Sequence, residues 1–148
     1  MADTSPTKAR KGDARPGANM RLVEALQYKL PLAAQLSILH RASGIIMAVL
    51  LPFVIWLFDK SVSSEASYDE FASAFTAGIG VIPGFIVKLA TLGLIWAFLH
   101  HACAGARHLW MDATHSVTKQ QGASSAKAVF AVSIALTIAL GAKLFGLF

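Results

Sequence analysis

Two groups of polar side chains stand within apolar stretches of this sequence, at spacings that suit helices. In the first, Ser37 lies three residues before His40 and four before Arg41, so one helical face holds all three. The second group is a narrow stripe along one helical face. Gly105, His108 and Asp112 follow His101 by four, seven and eleven residues, and each of these spacings is close to a whole number of helical turns. Ionisable side chains are costly inside a membrane helix and indicate a functional site there. Both groups are therefore candidates for binding or catalysis.

Haem binding is the chemistry that these side chains favour. His101 and His108 stand about 10 Å apart along a helix, too far to share one small metal ion. A b-type haem needs an axial imidazole, a small residue that lets the porphyrin approach, and basic groups for its propionates. His101 supplies the first and Gly105, one turn away, the second; the basic groups are Arg41, His40 and His108. A six-coordinate haem also needs a second axial ligand, and another chain is one source of it.

The composition indicates a small integral membrane protein. Of 148 residues, 55% are hydrophobic and 14% are charged, whereas a soluble domain carries roughly 25% charged residues. This composition argues against a cytosolic globule and excludes a disordered chain. The single cysteine, Cys103, excludes an intrachain disulfide framework and a cysteine-rich zinc or iron–sulfur site. The usual glycine-rich nucleotide motifs and hydrolase motifs are missing.

Three apolar segments are long enough to cross a bilayer as helices, which need about 20 residues each. They cover approximately residues 37–58, 83–108 and 128–148. The fold class is thus an all-α membrane protein, a three-helix transmembrane domain over 31–148. Gly122, Ser124 and Ser125 are interpreted as a hinge that leads into the third segment.

The residues before the first span divide into two parts. Residues 1–19 are polar, with Pro and Gly, and are expected to form a flexible cytoplasmic tail. Residues 20–30 place Leu22, Val23, Leu26 and Leu30 on one helical face, which predicts a short helix at the inner interface or against a soluble partner.

The distribution of Lys and Arg predicts the orientation of the spans. Six basic residues precede the first span: Lys8, Arg10, Lys11, Arg15, Arg21 and Lys29. The loop after that span has Lys60 alone, among four acidic residues. The positive-inside rule therefore predicts a cytoplasmic N-terminus. Because neighbouring spans are then antiparallel, both polar groups lie near the inner face and converge on one pocket between helices.

Two motifs resemble a known family. SILHRASG at 37–44 and H-x-x-x-G-A-R-H-L-W-M-D at 101–112 are similar to the signature pair of the cytochrome b membrane-anchor subunit of succinate dehydrogenase. Arg15-Pro16 and Pro31 also resemble that family, as do the length, the three spans and their orientation. The stretch between Arg15-Pro16 and Ser37 is longer than in the family pattern.

The resemblance implies a subunit of a heterotetrameric enzyme. Its partners would be a flavoprotein that oxidises succinate, an iron–sulfur subunit and a second anchor subunit. The complex would be held at a lipid membrane, and no nucleic-acid partner is expected. His101 matches the axial ligand of haem b, whose other ligand lies on the second anchor subunit. His40, Arg41 and His108 match positions near the haem propionates. Ser37 and Arg41 match the ubiquinone site, and the succinate and flavin sites lie on another chain.

Several alternatives remain open at the level of sequence. His100 is the alternative haem ligand, although helical geometry points it about 100° away from His101 and favours packing. Ser37 is also suited to capping a helix N-terminus, and Asp112 is expected to pair with a basic group such as Arg107 or with one on a partner. The whole chain could instead be a purely structural anchor, or a stand-alone haem carrier with His40 and His101 as both ligands. A short N-terminus with acidic residues favours a bacterial inner membrane over a mitochondrial one.

Overall fold

The computed structural model describes residues 30–115 and 118–147. Within these ranges the chain forms four helices: α1 (Leu32–Val62), α2 (Glu65–Ala74), α3 (Gly84–Thr114) and α4 (Lys119–Leu144). The expected tail at 1–19 lies outside the described residues, as does the expected interfacial helix at 20–30 except for its last residue, Leu30.

Three of these helices are long and apolar enough to span a membrane, which confirms the predicted fold class. They are α1, α3 and α4, with 31, 31 and 26 residues. Pro31 and Pro83 directly precede α1 and α3. Proline suits a helix start because the first turn leaves its backbone N–H groups without intrahelical partners.

Each of the three long helices extends beyond its apolar segment at one end or at both. The largest difference is at α4, which begins at Lys119 rather than near residue 128. Thr118 caps it by accepting a hydrogen bond from the backbone of Gln121, whose side chain bonds back to Thr118. The expected hinge is therefore wrong, because Gly122, Ser124 and Ser125 lie in the first two turns of α4.

The short helix α2 follows α1 at the end of the bundle opposite the two polar groups. Ser64 caps α2 through a reciprocal pair of hydrogen bonds with Ser67. An ion pair between Lys60 and Glu70 joins the last turns of α1 to α2. This stretch was predicted only as a loop, because ten residues with a low average hydropathy are too few and too polar to cross a membrane.

The three long helices pack most closely at one end. There a small core of Leu36, Ala104, Ala126 and Val129 joins α1, α3 and α4, and Cys103 packs against it as expected of a small packing residue. α3 has extensive contacts with both α1 and α4. Many large apolar side chains remain exposed along the helices, which is expected of a bundle whose surroundings are lipid or other membrane helices. The core fixes the height at which the polar groups meet.

Candidate functional site

The two polar groups meet where α1 crosses α3. The imidazole rings of His40 and His101 stack, with centroids 4.1 Å apart and planes 28° from parallel. His108, two turns further along α3, lies with its ring centroid 5.3 Å from that of His40. The structure thus brings together His40 of α1 and both stripe histidines of α3, at one height, as the sequence predicted.

A hydrogen-bond network holds the His101 ring in a defined state. Its Nδ1 lies 3.0 Å from the backbone carbonyl oxygen of His40 and 3.3 Å from the Ser43 hydroxyl. A carbonyl oxygen can only accept, so this contact requires the proton to be on Nδ1. In the neutral ring, the other nitrogen, Nε2, then carries a free lone pair. A histidine that ligates a metal characteristically donates its second nitrogen to a carbonyl or carboxylate in this way.

Gly44 makes the close approach of His101 possible. A Cβ atom at position 44 would lie 3.1 Å from Cε1 and 3.4 Å from Nδ1 of His101. Sequence analysis gave the small-residue role to Gly105, where a Cβ would meet Nε2 of His40 at an ordinary 3.7 Å. The tighter requirement within this chain is therefore at Gly44. Its signal in the sequence is the spacing of four residues from His40, which places both on one face of α1.

His100 faces α4 rather than α1. Its side chain is fully buried, with its ring 5.4 Å from that of Trp96 and 5.5 Å from that of Phe130 in α4. Its Nδ1 lies 3.5 Å from the Ser133 hydroxyl, and its Nε2 has no hydrogen-bond partner among the described residues. A bulky ligand could reach this ring only if α3 and α4 separated, so the geometry supports the packing interpretation.

Ser37 and Arg41 form a separate pair on α1. The Arg41 guanidinium donates to the Ser37 hydroxyl at 3.3 Å, and Arg41 is exposed. The interpretation of Ser37 as a helix cap is wrong, because α1 begins five residues earlier and Pro31 occupies the capping position. The Ser37 hydroxyl therefore does not cap the helix, and it lies beside the Arg41 guanidinium.

Arg107 ties α3 to α4. Its Nε donates to the Ser125 hydroxyl at 2.8 Å, and its Nη2 donates to the Gly122 carbonyl at 3.2 Å. The expected pairing of Asp112 with Arg107 is wrong for this chain, since five residues along a helix point the two side chains in different directions. Asp112 is exposed. The arginine instead lies seven residues after His100 and faces α4 as that histidine does.

The residues present fit a flat, anionic cofactor better than a small ion. His101 offers one free imidazole nitrogen at a half-buried position. The Nε2 atom of His40 is buried and lacks a hydrogen-bond partner among the described residues, which is costly unless another group supplies one. A free ligand nitrogen and imidazoles that can hydrogen-bond to carboxylates are groups that a haem with propionates requires.

Comparison with known proteins gives a consistent result. Residues 19–140 match the model of the family described as succinate dehydrogenase/fumarate reductase transmembrane subunit. A succinate dehydrogenase cytochrome b556 subunit of Paracoccus denitrificans is 30% identical over 111 residues, which cover 75% of this chain and 80% of that protein. One of Coxiella burnetii is 30% identical over 118 residues, covering 79% of this chain and 90% of that protein. A family match over most of the chain, with relatives aligned along most of their own lengths, shows that this protein belongs to the succinate dehydrogenase/fumarate reductase transmembrane subunit family.

Proposed function

We propose that this chain binds haem b through His101, shares that haem with a second anchor subunit, and helps to form the ubiquinone-reduction site of a succinate dehydrogenase. The observation that carries the proposal is the state of the His101 ring. With Nδ1 donating to the His40 carbonyl at 3.0 Å, Nε2 is left as a free ligand nitrogen. The cytochrome b556 name of the relatives agrees with a haem of this type.

Haem bound here would supply one-electron transfer, and side chains of this protein would hold the haem in place. His101 would be the axial ligand, while His40, Arg41 and His108 would face the propionates. The buried Nε2 of His40, which has no hydrogen-bond partner in the described part of the chain, supports this assignment, because a carboxylate would satisfy it. His108 lies beside the His40 ring and extends the same polar surface along α3.

The stacking of His40 on His101 argues that the second axial ligand comes from another chain. If His40 and His101 both ligated one haem, that haem would have to fit between their two rings. Rings whose centroids are 4.1 Å apart and nearly parallel leave no space for a porphyrin between them. The stand-alone carrier with both ligands in this chain is therefore disfavoured, and a second anchor subunit remains the source.

Ser37 and Arg41 suit the reduction of a quinone. Reduction builds negative charge on a quinone carbonyl oxygen, and a preorganised hydroxyl and guanidinium stabilise that charge. Arg41 is exposed and has Ser37 beside it, so both groups are accessible to a ligand. Arginine keeps its proton, so the two protons that the quinone takes up come from water, a histidine or a partner subunit. His40 is the candidate within this chain.

The partners and the location follow from the same assignment. We infer a flavoprotein, an iron–sulfur subunit and a second anchor subunit as partners, in a bacterial inner membrane. The end of the bundle that carries the histidines would face the cytoplasm, on the rule that Lys- and Arg-rich flanks stay inside. A docked iron–sulfur subunit would then be close to both the haem and the quinone.

The spectrum of the native complex tests this proposal against a purely structural anchor. In the structural alternative, the polar side chains only join helices to one another. We expect the complex purified from its membrane to show a b-type band in the reduced-minus-oxidised difference spectrum. An intact complex without that band would contradict haem binding and favour the structural role.

Arg41→Ala is expected to lower quinone reduction by about ten- to a hundredfold, because a hydrogen bond to a charged group contributes about 1.5–3 kcal/mol. Succinate oxidation with an artificial acceptor should be preserved, since that reaction bypasses this site. The measurement is the ratio of the two rates in the purified complex. Lys127→Ala is the matched control, because it removes an exposed cation from α4 without touching Ser37. An unchanged quinone rate in Arg41→Ala would remove this residue from the site.

A further inference from the structure

The buried hydroxyl of Ser43 shares a hydrogen-bond acceptor with His101. Ser43 donates to the His40 carbonyl oxygen at 2.8 Å, and the Nδ1–H group of His101 donates to the same oxygen at 3.0 Å. Ser43 Oγ itself lies 3.3 Å from Nδ1, so the carbonyl is the nearer acceptor for the ring. The Ser43 side chain is fully buried, so water does not compete for these groups.

We propose that Ser43 is a positioning residue that raises the reduction potential of the haem by weakening the hydrogen bond between His101 and the His40 carbonyl. The inference rests on the proposed ligation of haem by His101. It assigns Ser43 a role in tuning the iron, beyond packing α1 against α3.

The physical basis is the sharing of one carbonyl by two donors. An oxygen that already accepts a bond from the Ser43 hydroxyl is a weaker acceptor for the Nδ1–H group. The strength of that second bond sets how much electron density the ring offers through Nε2, and hydrogen bonding around the ligands is one of the means by which a protein tunes haem iron. A more electron-rich ring favours oxidised iron. Ser43 therefore keeps the His101 ring less basic and the reduction potential of the haem higher.

The chain contains a matched pair at a different histidine. Ser133 in α4 donates to the carbonyl three residues before it, Phe130, at 3.3 Å, and its hydroxyl lies 3.5 Å from Nδ1 of His100. Ser133 is fully buried, as Ser43 is. Each serine thus donates to the carbonyl three residues before it and lies beside a histidine Nδ1, but the shared carbonyl and the proposed ligand are at Ser43. Ser133→Ala controls for the loss of a buried hydroxyl beside a histidine.

The test is an optical redox titration of the b-type haem in the complete complex. For Ser43→Ala we expect a lower reduction potential, with the ratio of oxidised to reduced haem at a fixed ambient potential raised about three- to tenfold. The upper end corresponds to about 59 mV for a one-electron couple. Ser133→Ala should leave the potential unchanged. Ser43→Cys keeps a weak donor of similar size and should give an intermediate potential, which a loss of packing alone would not produce.

Each outcome separates this inference from the proposed function. An unchanged or raised potential in Ser43→Ala, with haem content intact, overturns the role of Ser43 and leaves the ligation by His101 standing. A shift in Ser133→Ala, with none in Ser43→Ala, assigns the ligand to His100 and overturns both proposals. If Ser43→Ala loses its haem, Ser43→Cys decides, and a potential equal to that of the unsubstituted complex refutes the inference.

Discussion

Replacing His101 with leucine is expected to lower the haem content of the purified complex by more than about tenfold, because even a residue that only supports a ligand costs about 10–100-fold in affinity. Leucine is close to histidine in size, so α3 keeps its apolar contacts. The measurement is the amplitude of the reduced-minus-oxidised b-type band per flavin. Immunodetection of this chain in the same sample shows whether the anchor is still assembled.

His100→Leu is the matched control, because it removes the neighbouring imidazole from the same helix. His100 faces Trp96 and Phe130 on the α4 side, so haem should remain. Its buried Nε2 has no hydrogen-bond partner within residues 30–115 and 118–147, so an apolar replacement removes a group that is unsatisfied there. Loss of haem in His100→Leu together with retention in His101→Leu would identify His100 as the haem ligand and contradict its assignment to His101.

Helical periodicity predicted the faces of α3 correctly. His101 and His108 are seven residues apart and both lie near His40 on the α1 side. His100 and Arg107 have the same spacing and both contact α4. Seven residues nearly complete two turns, so these pairs follow from the sequence alone. The identity of the neighbouring helix on each side does not, because it depends on how the three helices pack.

The ends of the helices were predicted less well, for a physical reason. Hydropathy identifies the part of a helix that lies in lipid, whereas capping and turn residues decide where the helix begins. α4 starts directly after its cap residue Thr118, well before its apolar part, and α2 starts directly after its cap residue Ser64, in a stretch too polar on average to be found by hydropathy. Thr118 with Gln121 matches the sequence signature of a capping box and can be found without the structure, whereas Ser64 with Ser67 makes the same pair of hydrogen bonds without the usual Glu or Gln.

The details that define the site required coordinates. Ser43 and Gly44 were visible in the sequence as neighbours of His40, but their roles depend on the distance between α1 and α3. At this crossing, the ring of His101 lies against the backbone of α1 and hydrogen-bonds to its carbonyl. A contact of that kind is set by the rotation of two helices about their axes, which periodicity leaves undetermined. The glycine that sequence analysis chose, Gly105, has more room within this chain.

Gly44→Leu is therefore expected to be the most disruptive change on α1. Even a Cβ atom added at position 44 would lie 3.1 Å from Cε1 of His101. The His101 ring cannot move away freely, because it stacks on His40 and is hydrogen-bonded at Nδ1. A leucine must push the ring or separate α1 from α3, at a cost of about 1–3 kcal/mol or more for overpacking. We expect loss of most of the b-type band, and a smaller loss for Gly44→Ala.

Gly93→Leu provides the control for Gly44→Leu. Gly93 is an exposed glycine of α3, and a Cβ there would meet nothing within 4 Å. Leucine at that position should leave the haem spectrum and the stability of the complex near those of the unsubstituted protein, since replacing a helical glycine by a strong helix former is favourable by about 0.8–1.0 kcal/mol. Thermal unfolding followed at the haem band would separate the two variants. If Gly44→Ala and Gly44→Leu both kept full haem content and an unshifted band, the His101 ring could not be held against α1 as described. The hydrogen bond that places the proton on Nδ1 would then be contradicted as well.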